Sequence, residues 1–287
     1  MASRTITFLI YLCCPYMRIV SRYSIYILIM MVSLGSCSKF ETVKKSSDVN
    51  FKLTKANEYF DKKEFAHAND LYKDLMPIMK STRNYEALYF KYAYTYFYMK
   101  DYLFASYYFK NFTELFPSSK QAEECEFMAA VCMYKNSPRY TLDQTNSTKA
   151  LEALQSYTDR YPKSARAAEA NGYIDEMHRK LENKAADAAK LYFNIGQYKA
   201  ATVAYKSVLR DYPESPNCDY YLYMIQKSWT KYADASVPEK QEERYASAIS
   251  SFRDLKDSYP KSKYIEDADK LNTEANNKIK KIRDEHK

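Results

Sequence analysis

Glycine is almost missing from this chain: Gly35, Gly172 and Gly196 are the only three in 287 residues. That scarcity excludes a glycine-rich phosphate loop and argues against architectures that depend on tight β-turns. Histidine is equally scarce. His67, His178 and His286 stand in no metal-ligand spacing and beside no plausible nucleophile, so no metal, no cofactor and no enzymatic activity are expected. The carboxylates are scattered at helix-surface spacing rather than paired. Charge of one sign is lacking too: 44 Lys and Arg against 36 Asp and Glu leave a net +8, about +5 once residues 1–36 and their three arginines are set aside, too mild to argue for a nucleic-acid partner. The apolar run Ile25–Val32 falls well short of the ~20 residues that spanning a bilayer requires.

What the chain has in abundance is aromatic surface, with 31 tyrosines and 14 phenylalanines. Much of it falls into one recurring pattern, Ala-x3-aromatic-x2-apolar-x4-Pro. The copies read Ala105/Phe109/Phe112/Pro117, Ala201/Tyr205/Val208/Pro213 and Ala248/Phe252/Leu255/Pro260, with Ala150/Leu154/Tyr157/Pro162 carrying one aliphatic swap. Ala68/Tyr72/Leu75 fits with its proline displaced to Pro77. The alanines fall 37, 45, 51 and 47 residues apart, a period that signals a helical repeat array. Offsets of four and seven lie on one helix face, so each copy is expected to be the second helix of a pair, ended by its proline. Ser119, Ser164, Ser215 and Ser262, just past those prolines, are expected to N-cap the following helix. Ala56-x2-Tyr59, Ala93-x2-Tyr96, Ala130-x2-Met133 and Ala189-x2-Tyr192 mark the matching first helices.

These small, aromatic and proline positions resemble the tetratricopeptide repeat, although the consensus tryptophan is absent from the best copies. The fold expected is therefore all-α, an α-solenoid of about five tetratricopeptide-like helix pairs. By the geometry of that repeat, groove-facing positions lie on the first helices and include Phe60, Phe90, Tyr94, Phe97, Tyr98, Phe127 and Tyr134. The stretch Tyr89–Tyr98 is aromatic around more than one helix face, so one face is free for something other than the core. A helix over about Ala165–Ala189 is expected to act as a long spacer that Gly172 could bend.

The front end reads as a leader. Arg18 and Arg22 precede Ile25–Val32, and Leu34-Gly-Ser-Cys37 follows, a secretory signal whose ending resembles the bacterial lipobox. Residues 1–36 are expected to be removed, with translation starting at Met17 and Cys37 becoming the lipidated first residue. Removal takes away Arg4, Arg18 and Arg22 and no acid, which leaves a charge of about +5. Residues 37–50 are expected to be a flexible tether reaching roughly 20 Å. Cys125 and Cys132 are about 10 Å apart along one helix, too far for a disulfide, so buried thiols are expected.

Two repeats carry long inter-helix segments. Asn136–Lys149 contains Ser137-Pro-Arg139-Tyr140-Thr-Leu-Asp-Gln-Thr145, and Ser236–Tyr245 lengthens the fifth pair. A lipobox, five pairs and these insertions together resemble the BamD family of β-barrel assembly lipoproteins over about Cys37–Lys270. That resemblance implies a lipid-anchored scaffold on the periplasmic face of the outer membrane. It implies as partners unfolded outer-membrane protein clients, the periplasmic domains of the barrel-forming subunit, and other accessory lipoproteins. It assigns the client side to residues 51–164 and the docking side to residues 165–283, and Arg139 and Tyr140 join the peptide-binding candidates. Other classes of envelope lipoprotein built on this repeat, a cell-wall or division coordinator and a glycan-binding module, are the alternatives.

Overall fold

The computed structural model describes residues 39–285. The leader, the Met17 start and the lipidation of Cys37 lie outside the described residues. Among these, a short helical segment at 39–44 precedes eleven α-helices, with no strand. The helices are α1 (Val49–Asp61), α2 (Phe65–Met79), α3 (Tyr85–Tyr98), α4 (Tyr102–Leu115), α5 (Ala122–Lys135), α6 (Thr145–Arg160), α7 (Ala167–Asn194), α8 (Tyr198–Asp211), α9 (Cys218–Asp234), α10 (Pro238–Ser258) and α11 (Ile265–Glu285). They fall into two compact units, Met1–Cys132 and Met133–Lys287. In the first, α1 packs on α2, α2 on α3 and α3 on α4. In the second, contacts run from α6 to α7, α7 to α8, α8 to α9 and α9 to α10, with α11 closing against both α9 and α10. Each unit is built of tetratricopeptide-like helix pairs, the all-α architecture that the period of the repeat predicts.

The repeat pattern is the core. Every alanine, ring and aliphatic of the five copies is buried, from Ala68, Tyr72 and Leu75 to Ala248, Phe252 and Leu255. Ala56, Ala93, Ala130 and Ala189 on the first helices are buried as well. A buried alanine on each helix of a pair leaves room for close approach, and the large side chain four residues after the second one fills the space beside it. In the second unit this gives a cluster of Ala189, Tyr205, Val208, Tyr221, Met224 and Ile225. The third position after each first-helix alanine is less constrained, and Tyr192 there is exposed.

The four terminal prolines act as expected. Phe116, Tyr161, Tyr212 and Tyr259 precede them with φ between −136 and −125 and ψ of 58 to 63, outside the helical region that a following proline disfavours. Pro77 differs: it lies inside α2, which runs on to Met79. The serines also differ from expectation. Ser164 and Ser215 stand two residues before the N-cap positions Arg166 and Asn217. Their hydroxyls accept from Arg166 N at 3.1 Å and Asn217 N at 3.0 Å, closing a turn ahead of the helix. Ser119, Ser215 and Ser262 also donate to a carboxylate of an earlier helix, to Glu86, Glu182 and Asp219 at 2.6, 2.5 and 2.7 Å.

A tight inter-helix turn recurs at Lys63, Lys100 and Gly196, the only positive-φ residues described, with φ of 63, 63 and 79. The following residue closes a six-residue ring in each: Glu64 N to Tyr59 O, Asp101 N to Tyr96 O and Gln197 N to Tyr192 O, all 2.9 Å. This is the Schellman ending of a helix. Across each turn a pair of rings meets: Phe60 with Phe65 at 5.6 Å, Phe97 with Tyr102 at 5.9 Å and Phe193 with Tyr198 at 5.4 Å.

Two segments depart from expectation. The supposed loop Ser236–Tyr245 is helical from Pro238 onward, because proline is preorganised for the first helical turn and the Glu-Lys-Gln-Glu-Glu-Arg run that follows is rich in helix formers. The segment expected to be a flexible tether over 37–50 is partly built into the fold from residue 39. Phe40 and Val43, one turn apart, are buried in the first-unit core, and Phe40 stacks on His67 at 4.2 Å.

Candidate functional site

Repeats one and two carry a continuous run of rings along the first-helix side of the first unit. Phe60 lies 6.1 Å from Tyr98, Phe65 stacks on Tyr98 at 4.4 Å, and Tyr98 stacks on Tyr94 at 5.7 Å. Phe90 and Phe97 reach Tyr94 at 4.9 and 6.2 Å. Five of the sequence candidates are thus brought together. Their roles differ, however. Phe60 and Phe97 are half-buried because each closes its own inter-helix turn, and Phe90 backs onto buried Phe112 at 5.8 Å. Tyr94 is half-buried and its hydroxyl donates to Glu124 of α5. Tyr98 is 46% exposed, the most open of the five.

Polar groups are threaded through this face. The Lys91 ammonium donates to Asn57 Oδ1 at 2.9 Å and sits 5.4 Å from the Phe60 ring. Tyr72 donates to the same Asn57 oxygen at 2.8 Å. Phe65, Lys91 and Asn57 escaped the sequence reading. The spacing Phe60-x4-Phe65, repeated as Phe97-x4-Tyr102 and Phe193-x4-Tyr198, is the signal that could have found Phe65. A further apolar strip missed earlier runs along the outer side of α4, where Leu103, Phe104 and Tyr107 are each at least 50% exposed.

Phe127 is a correction. It is 2% exposed and unavailable to any peptide. Helix α5 buries Cys125 and everything from Phe127 to Cys132, so apolar residues around its whole circumference are consumed by packing rather than by a groove.

Tyr134, Arg139 and Tyr140 belong to the second unit and gather beside α7. The loop between α5 and α6 spans 136–144, shorter than the Asn136–Lys149 stretch expected, since α6 begins at Thr145. Asp143 Oδ1 accepts the Thr145 amide at 3.0 Å, and its hydrogen bonds with Thr145 hold this carboxyl below its ordinary pKa. Gln144 Nε2 ties the loop to itself through the Arg139 and Leu142 carbonyls at 2.8 and 2.9 Å. Helix α7 holds the loop from the other side: Lys180 donates to Ser137 Oγ at 2.5 Å and Lys184 to the Thr141 carbonyl at 2.9 Å. The Tyr140 hydroxyl bonds to Asp187, which raises its pKa. Tyr134 stacks against Tyr173 at 4.4 Å and donates to Glu176. Burial first, and the Glu176 carboxylate second, push the Tyr134 phenol up to about 12, so it remains a donor at neutral pH. Burial lowers the Lys180 pKa. Between loop and helix lies an open cleft of about 520 Å³ lined by Arg139, Tyr140, Thr141, Glu176, Arg179, Lys180 and Asn183.

Helix α7, 28 residues long, is continuous through Gly172, whose missing side chain faces open space. Its C-terminal end presents Leu191 and Tyr192 and, at the cap, Ile195, all exposed. Cys125, Cys132 and Cys218 are buried thiols, and burial pushes Cys125 and Cys218 above the ordinary thiol pKa.

The family model described as "YfiO: Outer membrane lipoprotein" matches residues 47–217 and again 186–282. Among curated proteins, the outer membrane protein assembly factor BamD of Caulobacter vibrioides is 25% identical over 118 residues, which is 41% of this chain and 39% of that protein. The match therefore spans well under half of that relative's length. Among solved structures, the TPR2AB domain of yeast Sti1 is 14% identical, covering 79% of this chain and 98% of that one with a TM-score of 0.38. MamA is likewise 14% identical, covering 75% and 96% with a TM-score of 0.30.

Proposed function

The chain belongs to the YfiO family of outer membrane lipoproteins, and on that footing we propose that it is a lipid-anchored periplasmic scaffold of a β-barrel assembly machine. It binds unfolded outer-membrane proteins and the barrel-forming subunit, and it promotes insertion by holding them together rather than by chemistry of its own. Cys37 carries the anchor. The assembly role of the Caulobacter relative supports this reading, and so does the repeat architecture, whose stacked helices present extended binding surfaces.

The single observation that carries the client-binding part is the exposed Tyr98 within the Phe60–Phe65–Tyr98–Tyr94 run. Segments of β-barrel proteins are rich in aromatic and apolar side chains, and half-exposed tyrosine is suited to such partners because its ring is apolar and its hydroxyl stays wet. The repeats within residues 51–164 thus serve the client. Those within 165–283 dock the barrel-forming subunit, and Leu191, Tyr192 and Ile195 are the exposed apolar residues on that side.

Two experiments test the proposal. Affinity capture with the lipidated protein is expected to recover an outer-membrane barrel protein bearing periplasmic domains. Failure to recover one would overturn the docking role. Tyr98→Ala is expected to weaken binding of an aromatic outer-membrane peptide about tenfold, the scale of one lost ring at a binding hot spot, with helicity unchanged. Unaltered affinity would remove the aromatic face from the reading.

A further inference from the structure

The cleft between the 136–144 loop and α7 is lined by three cations, Arg139, Arg179 and Lys180, and by one carboxylate, Glu176. Glu176 is already engaged by the Tyr134 hydroxyl. Lys180 donates to the neutral Ser137 hydroxyl at 2.5 Å. Among the described residues neither Arg139 nor Arg179 forms an ion pair, although ion pairs are frequent elsewhere, from Lys44–Asp70 to Arg283–Glu242. Like charges gathered around one cleft repel unless an anion enters between them.

The cations are also held in place. Glu176, Arg179, Lys180 and Asn183 follow three- and four-residue spacing on α7, so they share one helix face. The loop that carries Arg139 is fixed to that helix through Ser137, Thr141 and Tyr140. Positioning the donors before binding lowers the ordering cost of binding. Tyr140 gives the cleft an aromatic wall, and Leu142 beside it is 58% exposed.

We propose that this cleft binds a carboxylate of a polypeptide, with an adjoining apolar or aromatic side chain resting against Tyr140. Planar guanidinium groups match carboxylates through paired N–H donors. The apolar wall favours a peptide over a free anion. This inference rests on the polypeptide-binding role proposed above and names a second, polar point of recognition within it.

The test uses the full lipidated chain in detergent and a fluorescent decapeptide of alternating aromatic and polar residues. The peptide is made in four forms: with Glu or with Gln at its polar positions, each ending in a free carboxylate or an amide. The Glu peptides or the free-acid peptides are expected to bind about tenfold more tightly than the form lacking all carboxylates, and added salt is expected to shrink the difference. Which of the two carries the effect separates side-chain from terminal carboxylate. Arg139→Gln combined with Arg179→Gln is expected to erase the difference, whereas Arg253→Gln on α10 leaves it intact. Both cleft arginines are exposed, and circular dichroism checks that the variant folds. Equal binding of all four peptides, or a difference that survives in the double variant, overturns the inference. So does displacement of the Glu peptide by phosphatidylglycerol vesicles or inorganic phosphate at lower concentration than by the unlabelled peptide. If all four bind equally and Tyr98→Ala still weakens them, the cleft alone is refuted. If wild type binds none, the client-binding reading falls with it.

Discussion

At the scale of single residues, the alanines and one buried carboxylate constrain the fold most tightly. Ala201 has no exposed surface, and leucine there would have to displace the facing helix. Ala201→Leu is expected to destabilise the second unit by about 1–3 kcal/mol, as overpacking does, and thermal denaturation would measure it. Glu182 is 5% exposed, and its Oε1 receives Ser215 Oγ, Tyr221 OH and Asn217 Nδ2 at 2.5, 2.6 and 3.2 Å. Those three donors join α7, the α8–α9 turn and α9. Glu182→Ala strands them and is expected to cost about 2–4 kcal/mol, whereas Glu182→Gln, which retains an acceptor, costs less. Equal urea midpoints for the two variants would contradict this account. The sequence marks Ala201 clearly through the repeat pattern. It gives no sign of Glu182, because an acid on a helix surface and an acid under the next repeat look the same in one dimension.

Among the elements, the recurring inter-helix turn decides much of the local geometry. Lys63, Lys100 and Gly196 occupy the same left-handed position, where a side chain carries a steric cost that glycine avoids. Gly196→Ala is expected to cost about 1 kcal/mol even though open space surrounds the site, since the strain is in the backbone. Lys100→Gly is expected to stabilise by up to about 1 kcal/mol. Parallel denaturant titrations test both signs, and a destabilised Lys100→Gly would sink the assignment. The same turn explains why Phe60 and Phe97 were only partly legible as groove residues. Each lies on the first-helix side as the repeat geometry predicts, yet each is held by the ring five residues ahead. The first two turns of α10, over 238–245, read as a loop in the sequence for a different reason. Their Glu-Lys-Gln-Glu-Glu-Arg run lacks apolar periodicity, and only the proline at the first turn marks the helix start.

For the molecule as a whole, the tyrosine excess becomes a property. Burial, helped slightly by Tyr85, Tyr108 and Tyr107 and opposed by the Asn111 hydrogen bond, pushes Tyr89 up to about 12. Burial and the Glu169 carboxylate do the same for Tyr173. Burial also raises Tyr72, Tyr205, Tyr221 and Tyr245. An unfolded tyrosine ionises near pH ~10, so the folded chain favours the neutral phenol. That stability is complete below pH ~10 and is lost as pH rises from there through 12. Alkaline titration is expected to show helicity falling together with a cooperative rise in tyrosinate absorbance above pH ~10. Ordinary, independent tyrosine ionisation with helicity intact would contradict it. The helix pairs, their order and the core positions of the repeats were already written in the chain, because alanine, ring and proline spacing act through local geometry and each repeat meets mainly its neighbours. The leftover aromatics and the cations were written there too, but not their use. Only packing in three dimensions buried Phe127, drew Phe40 into the core and turned Phe60 toward Phe65. Packing also set Arg139 opposite Arg179 across some forty residues of chain, because which face of a helix stays open depends on what lies against the other.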